Sequence, residues 1–120
     1  MMSETSIQQP PKPIYRIDKF QVPAAARAEL LQNLQRTHKV IQAQPGFIQD
    51  FIFEQISGPG TFNFITMVVR ESADALNAAK QRVTAHHAAT GFNPHELFAR
   101  LGIQADIANY TAIEAQHATQ

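Results

Sequence analysis

The sequence predicts an α+β protein: a four-stranded antiparallel sheet with its helices on one face. Segments of strand and helix period alternate in the order strand, helix, strand, strand, helix, short helix, strand. Five of the eight phenylalanines fall between Phe47 and Phe64, in two strands that carry apolar groups on both faces. A length of 120 residues suits one domain with a useful core. Right-handed crossovers close this order into one sheet with both main helices on the same side.

The first strand is IYRIDKF, Ile14 to Phe20. Ile14, Arg16, Asp18 and Phe20 share one side, and Tyr15, Ile17 and Lys19 share the other. Pro23 suits the first turn of the helix that follows, AAARAELLQNLQRTHKVIQAQ. Its inner stripe runs through Leu30, Leu34, His38 and Ile41, and Pro45-Gly46 stops it.

Two strands come next, roughly Phe47 to Ile56 and Phe62 to Arg70, joined by Ser57-Gly58-Pro59-Gly60. Strict alternation puts Phe47, Gln49, Phe51 and Phe53 on one face, and Ile48, Asp50, Ile52, Glu54 and Ile56 on the other. In the second of these strands Phe62, Phe64, Thr66, Val68 and Arg70 oppose Asn63, Ile65, Met67 and Val69. Ser72 caps a second helix with Asp74 in its first turn and an inner stripe of Leu76, Ala79, Val83 and His87. Asn93-Pro94-His95-Glu96 places an N-cap, a proline at the first position and an acid at the third, opening a short helix that Gly102 closes. IQADIANYTAI, Ile103 to Ile113, is the last strand.

All helices of this order lie on one sheet face, which leaves the second apolar face without cover. Several aromatic and aliphatic groups exposed together are unusual for a monomer. A homodimer joined through the open sheet faces resolves this, since burying a few hundred Å² at about 25 cal/mol per Å² gives several kcal/mol. Lys+Arg and Asp+Glu are both 10, so no basic excess invites nucleic acid or an anionic membrane. The chain has no cysteine, which excludes disulfides, thiolate nucleophiles and zinc-thiolate sites. MMSETSIQQPPKP lacks the basic and apolar regions of a signal peptide and no apolar run matches a membrane helix, so a cytoplasmic location is expected. The expected organisation is a disordered polar tail over 1–13, a folded domain over 14–114 and a C-terminal tail over 115–120.

No phosphate loop, CxxC, HExxH or GxSxG pattern is present. His86 and His87 are adjacent on a helix and point about 100° apart, so no metal site is assigned to them. His38, near the inner stripe of the first helix, is either a hydrogen-bonded core histidine or a general base. Arg70, beside Thr66, Phe64 and Val68, is either a solvated strand end or a cation that holds an enolate or phenolate oxygen, and Arg16 is its counterpart on the first strand. Tyr15, Asn63 and Tyr110 are further polar groups that could line a cavity, their faces being unset without the strand register.

Ile14 to Glu114 resembles the antibiotic biosynthesis monooxygenase family. The resemblance rests on QPGFIQDFIFEQ after an amphipathic helix and on FNFITMVVRESADAL, where Glu71 matches the acid that closes the third strand and Ala75-Leu76 the opening of the next helix. It implies a ferredoxin-like protomer paired into a dimeric α+β barrel. It also implies a cofactor-independent, quinone-forming monooxygenase acting on an aromatic or phenolic small molecule. Arg70 stands where the family commonly carries tryptophan, the first strand has no asparagine, and the second helix has no histidine before His86. Haem degradation, which uses those three groups in its relatives, is therefore disfavoured. The candidate catalytic residues are His38, Arg70 and Arg16; Phe64, Thr66, Val68 and Tyr110 are the candidate substrate contacts, with no cofactor and no metal. The alternative is a non-catalytic dimeric binding or structural protein of the same fold.

Overall fold

The computed structural model describes residues 12–113. The expected tails over 1–13 and 115–120 fall outside that range, apart from Lys12 and Pro13. The elements are β1 (Ile14–Gln21), α1 (Arg27–Gln42), β2 (Phe47–Glu54), β3 (Phe64–Arg70), α2 (Ala73–Thr90), α3 (Pro94–Leu101) and β4 (Gln104–Tyr110). The strands form one antiparallel sheet in the order β2-β3-β1-β4. This is the ferredoxin-like arrangement the sequence predicts, with α1, α2 and α3 on one face.

Helix ends follow local chemistry. The Ser72 hydroxyl accepts from the Ala75 amide at 3.1 Å, and the Asn93 carboxamide accepts from the His95 and Glu96 amides at 3.0 and 3.3 Å. A short 3-10 turn, Ala24–Ala26, precedes α1, so Pro23 stands just outside the helix with extended backbone. The strands are shorter than their apolar patterns suggest. Residues 55–63 form the β2–β3 connection, in which the Gln55 side chain donates to the Gly58 and Gly60 carbonyls. β4 stops at Tyr110.

Strict alternation fails at one place. The β2–β3 register slips between Phe47 and Gln49, pairing Phe47 with Arg70 and Gln49 with Val69. This bulge moves Phe47 off the face it was expected to share with Phe51 and Phe53, because the extra residue inverts the alternation. Ile48 is the residue left over and is exposed.

Register fixes the faces. Arg16, Asp18 and Phe20 pair with Val68, Thr66 and Phe64 on one side and with Asn109, Ile107 and Ala105 on the other. Asp50, Ile52 and Glu54 pair with Val68, Thr66 and Phe64 and complete the helix-facing surface. The open face carries Ile17, Met67 and Phe51 in one row, Ile65 and Phe53 in the next, and the Tyr15–Tyr110 pair. Phe51 and Phe53 are exposed and stack at 5.3 Å.

The core gathers at one end of the sheet. Phe20, Val22, Ala26, Leu30, Phe64 and Ile103 form the buried cluster, with Leu34, Phe98 and Leu101 against it. Asn63 ties this end together: its Oδ1 accepts from the Val22 amide at 2.8 Å and its Nδ2 donates to the Val22 carbonyl at 2.9 Å. Side-chain amide thus replaces a strand partner where β1 has run out. Asn63→Ala is expected to cost about 2 kcal/mol of stability, from two lost hydrogen bonds, read as a lower urea midpoint with unchanged slope.

Candidate functional site

Between the helices and the sheet lies a cavity of ≈ 320 Å³, at the small end of the range for ligand pockets. Phe20, Leu30 and Phe98 close it at the core end, and Leu34, Ile41, Val68 and Val83 give it apolar walls. The polar groups come from opposite sides: Arg16, Asp18, Thr66 and Arg70 from the sheet, Asn33, Thr37 and His38 from α1, Lys80, Thr84 and His87 from α2, and His95 from α3.

His38 is buried, and its Nδ1 lies 2.8 Å from Asp50 Oδ2. The Gln42 amide donates to the same carboxylate oxygen at 2.9 Å. An ionised carboxylate is an acceptor, so Nδ1–H donates to it, which in a neutral ring leaves Nε2 as the basic nitrogen. This is a histidine oriented by a carboxylate, an arrangement suited to moving a proton. Its position follows from two periodicities: His38 lies one helical turn before Gln42 on α1, and Asp50 faces the helices from β2.

Arg70 is 5 % exposed. Among the described residues its one side-chain hydrogen bond is a long contact from Nη2 to Gln44 Oε1, 3.4 Å. Its Nε and the Gln44 Nε2 are buried without hydrogen-bond partners among the described residues. Burial pulls the Arg70 pKa below the ordinary guanidinium value; Arg16 adds to the fall and Asp18 opposes it. A guanidinium still stays protonated, so the shift marks a charge held at a cost. Arg16 differs, since its Nε meets Asp18 Oδ1 at 2.6 Å. His87 packs edge-on against Phe92 at 5.1 Å, and burial, then the neighbouring His86, pull its pKa down.

His38, Arg70, Arg16, Thr66 and Val68 thus line one cavity. Two of the expected substrate contacts lie elsewhere. Phe64 belongs to the buried cluster under the Arg27 guanidinium, 5.9 Å from its ring. Tyr110 pairs with Tyr15, so it lies on the open face, opposite the cavity. Asn63 holds backbone and does not line the chamber. Asp50 and Gln42, which hold His38, and Gln44, which meets Arg70, were missed; sequence alternation groups Asp50 with Ile52 and Glu54 on one strand face, but that this face meets His38 needs the register. Among the described residues no three His, Cys, Asp or Glu side chains cluster to hold a metal, and no helix is long and apolar enough to cross a membrane.

Fold and chamber together define a small ferredoxin-like α+β protein with a cavity between its helices and its sheet. The sequence model of the family described as antibiotic biosynthesis monooxygenase matches residues 13–91, and the chain belongs to that family. Among solved structures, it is similar to SnoaB, a cofactor-independent oxygenase from Streptomyces nogalater, with 22% identity over 87% of this chain and 96% of that one and a TM-score of 0.63. It is also similar to the haem degrader MhuD from Mycobacterium tuberculosis, with 20% identity over 87% and 99% of the two chains and a TM-score of 0.64. At these identities the two structures speak for the fold alone. The sequence matches no curated protein.

Proposed function

We propose that this protein is a cofactor-independent monooxygenase that oxidises a small phenol to a quinone. The observation that carries the reading is the pairing, in one largely apolar chamber, of an oriented histidine with a buried arginine that no carboxylate contacts among the described residues. Oxidation of a phenol with a free para carbon needs no outside reductant: one O2 supplies the new carbonyl oxygen and one water, which takes the two hydrogens lost. The protein has to create the electron-rich anion that reacts with oxygen. His38 Nε2 accepts the phenolic proton, Asp50 steadies the resulting imidazolium, and Arg70, assisted by Arg16, offsets the oxyanion. Thr66 and Val68 shape the sheet-side wall. The family membership and the likeness to an oxygenase that works without a cofactor support the same reading.

An oxygen electrode with α-naphthol and related electron-rich phenols tests this. Uptake should track conversion of the phenol to quinone. His38→Ala should reduce it by about 10²–10⁴-fold, the usual worth of a general base, and Asp50→Asn by less. No uptake across the panel would refute the reading.

We further propose that the protein works as a homodimer joined through its open sheet faces, where Ile17, Met67 and Phe51 form a row. Met67→Lys puts a charge in the middle of that row. Light scattering should give a dimer for the wild type at micromolar concentration and a monomer for the variant; a monomeric wild type would contradict the arrangement.

A further inference from the structure

The core end of the chamber has one yielding wall. Most of that end is packed solid: Phe20 and Leu30 are 2 % and 1 % exposed, and the Phe98 ring lies 5.5 Å from that of Phe20. Between α1 and α3 the chamber adjoins a groove on the outer surface, whose rim carries Glu29, Gln32, Arg36 and Arg100. Asn33, Phe92 and Leu97 line both spaces, so these three side chains form the partition between them. Two of the three are fixed. The Asn33 amide donates to the Glu29 carbonyl at 2.9 Å, and its Oδ1 accepts from Arg36 at 3.4 Å. Leu97 is buried in the middle of α3. Phe92 differs: it is half-buried, in the short connection between α2 and α3. Its backbone is held, since its amide donates to the His87 carbonyl at 3.0 Å where the left-handed Gly91 turns the chain out of α2. Its ring is held by packing alone, edge-on against His87 at 5.1 Å.

Building on the monooxygenase reading, we infer that Phe92 sets the upper size of the substrate: the protein takes phenols of one or two fused rings and turns away a third ring laid in line with them. In that reading the hydroxyl sits beside His38. Asn33, on the partition, precedes His38 by five residues of α1, about 7 Å along the helix axis. Two fused rings fill that length, and a linear three-ring system exceeds it. The excess meets one of two walls. Towards Phe20 and Leu30 it runs into close-packed core, where added atoms force side chains and backbone to shift. Towards α3 it runs into the Phe92 ring, with the outer groove directly behind. Phe92 is thus a specificity-determining residue: shortening it lengthens the chamber outwards and leaves His38, Asp50 and Arg70 as they are.

Two probes that differ by one fused ring test this: α-naphthol and 1-anthrol. In calorimetric titration without oxygen the wild type should bind 1-anthrol at least about tenfold more weakly, within the range that extra atoms cost in a packed site. Phe92→Ala should remove that difference while changing the affinity for α-naphthol much less. Phe92→Leu should remove part of it, and it carries the test if the alanine variant does not fold. Equal binding of the two probes by the wild type, binding of neither, or a difference that survives in the folded variants overturns the inference. So does an equal loss of affinity for both probes in Phe92→Ala, which is what a merely structural side chain would give. Oxygen uptake separates the two readings. Turnover of α-naphthol with no discrimination against 1-anthrol defeats this inference and leaves the monooxygenase standing. Discrimination that Phe92→Ala releases, with no oxygen uptake on any phenol, defeats the monooxygenase and leaves the size limit.

Discussion

Arg70→Met is expected to abolish most oxygen uptake and, at the same time, to raise the melting temperature. The two effects have one cause. In the folded protein the guanidinium has lost most of its water, has one long hydrogen bond and leaves Nε unsatisfied. Replacing a buried ion with an apolar side chain of similar volume is commonly neutral or stabilising by about 1–4 kcal/mol. Removing the group that offsets a developing oxyanion costs about 10²–10³ in turnover. Opposite changes in stability and activity would mark Arg70 as a residue kept for function. The measurements are thermal unfolding and phenol-dependent oxygen consumption on the same preparation. A fall in stability would instead show that Asp18, the one carboxylate whose field supports the charge, compensates it, and unchanged uptake would remove Arg70 from the reaction.

Gly46→Ala should be the most damaging single methyl in the domain. Gly46 has φ of +82°, where a side chain is strained, and a Cβ there would stand 2.4 Å from the Ala75 Cβ and 3.3 Å from the Glu71 Cγ. Neither relief is cheap. Ala75 is in the first turn of α2, and the Gly46 carbonyl accepts the Glu71 amide at 2.8 Å, so backing away breaks the link between the β2 entry and the end of β3. Left-handed strain alone costs about 1–3 kcal/mol, and the overlap adds to it. Urea unfolding should show at least that loss. Gly91→Ala provides the control, since it shares the positive φ but its Cβ would meet nothing within 4 Å. Equal losses in both variants would mean that conformation, not the approach of α2, sets the requirement.

The pattern of success along the chain is physical. The Ser72 and Asn93 caps were legible because a cap is a local bargain between one side chain and amides two or three residues on. The α1 stripe was legible because His38, Leu30 and Ile41 recur at helical spacing, and all three are buried. Strand faces were legible only while alternation held. At Phe47 one extra residue reversed it, and nothing in FIQDFIFE announces a bulge. Tyr110 shows the complementary difficulty: its parity within β4 is plain, but which parity faces the helices depends on its pairing with Tyr15. Asp50 and Gln44 escaped notice for a similar reason. Each acquires its role from a partner on another element, His38 in one case and Arg70 in the other, across a contact that no spacing rule encodes.

The sequence by itself determined the order of elements, their caps, the two-sided apolar strand pair around the phenylalanines and, through these, the ferredoxin-like sheet. Those features rest on interactions between near neighbours and on the period of each segment. Only the tertiary structure decided that His38 meets Asp50, that Arg70 is buried with no carboxylate in contact among the described residues, and that Tyr110 faces away from the chamber. Register and burial are properties of the packed whole: a side chain's charge is written in the chain, but its partner and its access to water are set when distant segments close around it.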